Sequence, residues 1–141
     1  MAGYSGTPLA RKLGIQESSR VLLVGAPQGF EKQLQPLPAD ARVMRRAARP
    51  VDVILLFCPD QRVLLHRFPR AQERLDPDGG LWVAWPKKAS GVPTDLDFEV
   101  VQTTGLGAGL VDTKICSVDD IWSGLRFIYR LENRPALRKR I

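Results

Sequence analysis

The chain has 141 residues, of which 44% are hydrophobic, and carries a formal net charge of +6. This length and composition exclude a largely disordered chain and favour one folded domain over residues 1–133, followed by a basic tail over residues 134–141. No apolar run approaches the roughly 18 residues that span a bilayer, and residues 1–19 lack the layout of a signal peptide. We therefore expect a cytoplasmic protein without a membrane partner.

The two cysteines, Cys58 and Cys116, both fall within apolar segments. Buried free thiols are expected, because a reducing compartment suppresses disulfides. A metal site needs more ligands than two distant cysteines and the single histidine, His66, provide. We predict no metal centre and assign no cofactor.

The first part of the chain predicts short helices and buried strands in alternation. A short helix over residues 7–14 precedes an almost wholly apolar strand over residues 20–25, which enters a glycine turn. Residues 30–35 can form only a brief helix before prolines interrupt it. Residues 41–48 are ambiguous, although an edge strand tolerates their charges. Residues 51–57 form a second buried strand.

The middle of the chain predicts a long helix and a third buried strand. Apolar residues at near-helical spacing over residues 60–75 favour the helix, which Pro69 is expected to kink or split. The Asp-Pro-Asp-Gly-Gly segment at residues 76–80 indicates a turn. The strand over residues 81–85 follows, with Trp82 as the tryptophan expected in the core.

The last part predicts one more helix and an antiparallel pair of strands. Thr94 or Asp95 can cap a helix that runs to about residue 104. Alternating residues predict strands over 111–118 and 125–131, joined by a hairpin-like connection. Apolar strands that alternate with helices imply a mostly parallel sheet. The expected fold is a three-layer α/β sandwich, Rossmann-like, whose final strand runs opposite to the rest.

This order of elements resembles a shortened S-adenosylmethionine-dependent methyltransferase fold. Residues 13–15 and 20–26 are similar to the opening of that family, and the terminal antiparallel strand is similar to its C-terminal half. The resemblance covers nearly the whole chain, but one strand-helix unit is missing between Ala48 and Val51. It implies a methyltransferase-like sheet.

The cofactor motif of that family is degenerate here. The family has an acidic residue followed by alternating glycines, whereas this chain has Leu23 at the acidic position. Gly25 and Gly29 are retained, and Pro27 stands at the intervening glycine position. The second strand of such folds ends in a carboxylate for the ribose hydroxyls. In this chain the corresponding segment is the possible edge strand over residues 41–48, which ends among arginines: Arg45, Arg46 and Arg49.

A second resemblance is to a family of small bacterial proteins of unknown function. It is based on residues 3–10, on the Trp-Pro-Lys-Lys-Ala-Ser-Gly segment at residues 85–91, and on residues 122–126. This resemblance implies no activity.

Three loops are expected to converge at the carboxyl edge of the sheet: residues 25–29, 86–91 and 119–124. An open α/β sheet binds its ligands at this edge.

Five residues from two of these loops form the predicted ligand site. Lys87 and Lys88 would attract an anion, to which Ser90 would donate a hydrogen bond. Asp119 adds a carboxylate and Trp122 a stacking face. The structural alternative is that the lysines pair with Asp119 and Asp120 at the surface and that Trp122 fills the core.

Three functions remain open. The leading interpretation is a non-catalytic methyltransferase-like module that binds a small anion, a nucleotide or an acidic protein surface. A divergent transferase would instead close a pocket around Gly25, Pro27, Lys87 and Asp119. A nucleic-acid partner would bind the arginines of residues 42–49 and the basic tail, although no aromatic residues interleave with them for stacking.

Overall fold

The computed structural model describes residues 6–139, which form a six-stranded sheet with helices on both faces. The strands are β1 (Arg20–Val24), β2 (Arg42–Met44), β3 (Val51–Phe57), β4 (Leu75–Pro86), β5 (Leu110–Ser117) and β6 (Trp122–Tyr129). The α-helices are α1 (Leu9–Lys12), α2 (Gln61–Glu73), α3 (Phe98–Gly107) and α4 (Arg134–Lys139). Short 3₁₀ helices span Phe30–Leu34, Lys88–Ser90 and Leu131–Asn133.

The strand order is β2-β1-β3-β4-β6-β5. Neighbouring strands among β1 to β4 are parallel, whereas β6 runs antiparallel to both β4 and β5. The mostly parallel sheet with a reversed final strand is therefore confirmed. Because β1 pairs with β2 on one side and β3 on the other, the direction of chain progression reverses between β1 and β3.

Two apolar layers cover the sheet, one on each face. In β3, Ile54 and Leu56 face the layer formed by α2 and α3, while Leu55 and Phe57 face the opposite layer. That opposite layer contains α1 and the 3₁₀ helix Phe30–Leu34. This alternation follows from the period of two along a strand, and it confirms the three-layer sandwich.

Trp82 is fully buried, and its indole nitrogen donates a hydrogen bond to the carbonyl oxygen of Leu13 at 2.9 Å. Trp85 is also buried, on the other face of the sheet. The prediction that Trp82 is the only core tryptophan of this strand is therefore wrong, because Trp85 is in the core as well. β4 lies between β3 and β6, so helices and loops cover both of its faces.

Pro69 does not split α2, which is continuous from Gln61 to Glu73. A proline removes the hydrogen bond to the carbonyl four residues earlier, which here belongs to Leu65. Both residues are exposed, so water can satisfy that carbonyl.

The predicted turn at residues 76–80 is wrong, because these residues lie within β4. Val51 pairs with Leu75 and Val53 with Gly80, so the segment between them is a bulge rather than a break. The side chain of Asp76 supports the bulge by accepting a hydrogen bond from the amide of Asp78 at 2.9 Å.

The cap of α3 is Asp97, whose carboxylate accepts a hydrogen bond from the amide of Val100 at 2.9 Å. The prediction of Thr94 or Asp95 as this cap is wrong. Asp95 instead accepts a hydrogen bond from the amide of Gln61, at the start of α2, at 2.7 Å. A sequence pattern cannot decide which of several neighbouring acids reaches a helix end.

β2 is a three-residue edge strand, as the charges around it allow. Residues 45–50 then lead directly into β3 without a further helix or strand. Within residues 6–139, no helix has the length and apolar character needed to cross a membrane.

Candidate functional site

The sheet has a topological switch point between the carboxyl ends of β1 and β3. Gly25 follows β1 there with a φ of +68°, a conformation that glycine adopts without strain. Phe57 ends β3 on the other side of the switch point. Open α/β sheets bind ligands in the crevice at this point.

A guanidinium group from α2 occupies this crevice. Nη1 of Arg67 donates a hydrogen bond to the carbonyl oxygen of Phe57 at 2.7 Å. The same group lies so close to Gly25 that a β-carbon there would clash with it. Arg67 therefore bridges the ends of the two strands.

A second guanidinium fixes the glycine loop from the side of β2. Arg45 donates hydrogen bonds to the carbonyl oxygens of Ala26 at 3.0 Å and Pro27 at 3.1 Å. It also binds Glu31 through two parallel contacts of 2.8 and 3.0 Å. The hydrogen bonds from Arg45 lower the pKa of Glu31 from 4.5 to about 2. The loop of Gly25, Pro27 and Gly29 is thus fixed by side chains of this protein.

These residues do not fit the cofactor of the resembling family. Leu23 is buried in the core and offers no carboxylate at the end of β1. Arg45 follows β2 where a carboxylate would bind ribose hydroxyls. Adenosylmethionine carries a sulfonium cation, which the guanidinium of Arg67 at the switch point would repel.

The lysine loop is tied to the β5–β6 connection. The amide of Lys87 donates a hydrogen bond to the carbonyl oxygen of Ile121 at 2.8 Å. Its ammonium group donates to the hydroxyl of Ser117 at 2.6 Å. Lys88 is exposed at the start of a 3₁₀ helix. The two predicted loops therefore do meet, and Ser117 is a contact that the sequence did not indicate.

The other polar residues of the predicted site satisfy local backbone groups. The hydroxyl of Ser90 donates to the carbonyl oxygen of Lys87 at 2.6 Å. Asp119 accepts hydrogen bonds from the amides of Ile121 and Trp122, both at 2.9 Å. Neither lysine of this loop forms a salt bridge with an acid of residues 6–139, so the surface-pairing alternative is not found. Anion binding by this loop stays a prediction.

Trp122 packs into the protein rather than presenting an open stacking face. It belongs to β6 and is half-buried. Its ring meets Phe57 edge to face with centroids 5.0 Å apart, and Phe57 meets Phe30 at 4.9 Å. Residues 122–124 are strand rather than loop, which corrects the predicted connection. This aromatic row links β6 to the layer that covers β1.

A cleft of about 690 Å³ at this edge is lined by Asp119 together with Lys12 and Gln33. Gly25, Pro27 and Lys87 are not among its walls, although the divergent transferase would place them with Asp119 in one pocket. In the part of the chain that the structure describes, no group of three His, Cys, Asp or Glu side chains could hold a metal ion.

A second cleft, of about 730 Å³, lies beside α2 and is rich in arginine. Its walls are formed by Leu22, Val24, Arg45, Arg46, Ala47, His66, Arg67, Arg70, Ala71, Glu73 and Arg74. Arg45 and Arg46 belong to the basic cluster expected from the sequence, whereas Arg67 and Arg70 of α2 and its C-cap residue Arg74 were not predicted to join them. Their spacing of three and four residues was the available signal, because it places them on one helix face.

Comparison with known proteins identifies the fold. No family model matches the chain, and no curated protein sequence is similar to it. Ribosomal protein L11 methylase from Lactobacillus delbrueckii subsp. bulgaricus matches with a TM-score of 0.60 and 12% identity, over 86% of this chain and 75% of that chain. The structure of the DhpI complex with SAH matches with a TM-score of 0.61 and 9% identity, over 92% of this chain and 86% of that chain. A SAM-dependent methyltransferase from Aquifex aeolicus matches with a TM-score of 0.51 and 18% identity, over 84% of this chain and 86% of that chain.

These similarities confirm a methyltransferase-like Rossmann fold, as the order of elements predicted. At such identities they define the fold alone. The resemblance to a bacterial family of unknown function stays a prediction, and residues 3–5 of its first segment lie outside the described residues.

Proposed function

We propose that this protein is a non-catalytic, methyltransferase-like module that binds an anionic ligand. The main support is the guanidinium of Arg67 at the switch point of the sheet. A fixed cation there disfavours a cationic cofactor and favours an anion. The structural neighbours include a ribosomal protein methylase and a complex with SAH, but the residues that would hold such a cofactor are replaced here.

The ligand class follows from the same charges. A small anion, a nucleotide or an acidic protein surface would each complement the arginines around the glycine loop. Methyl transfer has weak support, because neither Leu23 nor Arg45 can supply the carboxylate that the resembling family uses.

Calorimetric titration with adenosylmethionine and with its demethylated product tests this proposal. We expect no saturable binding of either compound to the folded protein. Circular dichroism of the same sample serves as the control that the protein is folded. Micromolar binding of either compound would overturn the proposal and favour a divergent transferase.

A further inference from the structure

The arginine-rich cleft is lined by arginines from two segments of the chain, and Glu73 is the one acidic residue among its described walls. Arg67 and Arg70 lie on one face of α2 and Arg74 is the C-cap residue of that helix, so the three span about 10 Å at a rise of about 1.5 Å per residue. Arg45 and Arg46 belong to the other segment, where the chain leaves β2. Residues 45–50 return directly to β3, without a further helix to cover the sheet here.

Most of these charges have no acidic partner. Arg67 and Arg74 donate to the backbone carbonyls of Phe57 and Ala47, at 2.7 and 2.8 Å. Such bonds orient a guanidinium but leave its charge uncompensated. Of the five arginines that line the cleft, only Arg45 forms a salt bridge with an acid of residues 6–139.

The floor of the cleft is apolar. Leu22 and Ala71 are buried, while Val24 and Ala47 are half-buried. In the neighbouring strand, Ile54 and Leu56 of the same layer are completely covered. The cleft therefore combines an apolar strip with guanidinium groups from both segments.

We propose that this cleft binds a nucleoside polyphosphate, with its phosphates against the arginines and its nucleoside on the apolar floor. This inference rests on the proposed function, because it names the ligand class and the place of anion binding. Guanidinium groups form paired hydrogen bonds with phosphate oxygens. A volume of about 730 Å³ suits a small ligand.

A single-stranded nucleic acid fits the cleft less well. Such ligands stack their bases on aromatic side chains, and no aromatic residue other than His66 is found along the described walls. The lysine loop is separate from the cleft, since neither Lys87 nor Lys88 lines it.

Calorimetry at low ionic strength, with adenosine triphosphate, tripolyphosphate and adenosine as probes, tests the inference. The triphosphate is expected to bind most tightly, tripolyphosphate more weakly, and adenosine without detectable heat. The variant Arg46→Ala with Arg70→Ala removes two exposed arginines that have no carboxylate partner among residues 6–139. This variant should weaken the binding of adenosine triphosphate by at least about tenfold, because it removes charge-assisted hydrogen bonds to the phosphates.

The matched control is Arg11→Ala with Arg62→Ala. Both residues are exposed and lie outside the cleft, so this variant has the same change in net charge. It should retain the triphosphate affinity within about twofold, as removal of remote surface charge usually does. Equal weakening by both variants would assign binding to net charge and overturn the inference.

Three further outcomes would also overturn it. If neither adenosine triphosphate nor adenosylmethionine binds, the cleft is not a nucleoside polyphosphate site, while the proposed function still stands. Loss of binding in Lys87→Ala with Lys88→Ala, but not in the cleft variant, would place the anion at the lysine loop. Tighter binding of single-stranded RNA than of the triphosphate, in a gel-shift series, would exclude a small ligand as the preferred one.

Discussion

Glu31 and Arg45 make the glycine loop sensitive to acid. The arginine lowers the pKa of Glu31 from 4.5 to about 2, so the folded protein holds this carboxyl in its charged form more strongly than the unfolded chain does. The stability that results is fully present above about pH 4.5 and is lost as the pH falls toward about 2.

We predict that Glu31→Gln flattens the acid side of the stability profile. The variant has no titratable carboxyl at residue 31. Its free energy of unfolding should therefore differ from that of the parent most at neutral pH and least near pH 2. Urea unfolding across this range measures the difference. Glu17→Gln is the control, because Glu17 is exposed and has no salt bridge with any residue from 6 to 139. A constant difference between Glu31→Gln and the parent at every pH would contradict the role of this pair.

The two thiols should react differently with a thiol reagent. Burial raises the pKa of Cys58 to about 12, and it also raises the pKa of Cys116, which is only half-buried. Because the thiolate is the reactive form, Cys58 should react only when the protein unfolds. Spectroscopic counting of modified thiols in the native protein and in Cys116→Ala measures this. Rapid modification of Cys58 in that variant would show that the core opens more readily than its packing implies.

At the scale of elements, α3 packs on β6 through a glycine. A β-carbon on Gly105 would clash with the ring of Phe127, which is completely buried. Gly107, in the same helix, has open space around the equivalent position. This pair separates packing from helix propensity.

Gly105→Ala is predicted to destabilise the protein by about 1–3 kcal/mol, as overpacking of a core does. Gly107→Ala should leave stability unchanged or raise it by up to about 1 kcal/mol, since alanine favours a helix. Chemical denaturation of both variants gives the comparison. Similar losses in the two variants would mean that the contact with Phe127 does not limit the approach of α3.

The lysine loop should be dispensable for folding. The ammonium group of Lys87 donates a hydrogen bond to Ser117, and Lys88 is exposed. Lys87→Ala with Lys88→Ala is therefore predicted to change the free energy of unfolding by no more than about 1 kcal/mol. Melting temperature measures the change. Unfolding of the variant would assign both lysines to the scaffold.

At the scale of the whole molecule, stability should fall from the centre of the sheet to its edges. β3 is buried along most of its length between β1 and β4, whereas β2 is short and partly exposed. Hydrogen exchange should therefore be slowest for amides of β3 and β4, faster in β5, and fastest in β2. Protection of β2 equal to that of β3 would indicate that something further covers this edge.

The charge of the whole molecule is not spread as the sequence implied. The predicted basic tail begins with α4, where Arg134 and Arg138 bind Asp78 of β4 at 3.7 and 2.6 Å. The arginines of α2, by contrast, add to those near β2 on one side of the fold. The division of the chain into a domain and a tail remains a prediction.

The sequence by itself determined the sheet. Residues 20–25, 51–57 and 81–85 are apolar runs of strand length, and burial on both faces requires such runs. The reversed final strand followed from its alternating pattern. The resemblance to the methyltransferase family further implied that Leu23 replaces its first acid and that Arg45, Arg46 and Arg49 surround the position of its second.

Only the tertiary structure decided how the carboxyl edge is filled. The contacts of Arg67 with Gly25 and of Arg45 with Pro27 join residues that are distant in the chain, and no local periodicity encodes them. The sequence placed Trp122 in a loop, but packing against Phe57 placed it in a strand within an aromatic row. The hydrophobic pattern of each helix or strand follows from which of its faces is buried, so the sequence alone predicts it. The composition of the functional site depends on which long side chains meet at one point, and this is decided only when the elements pack.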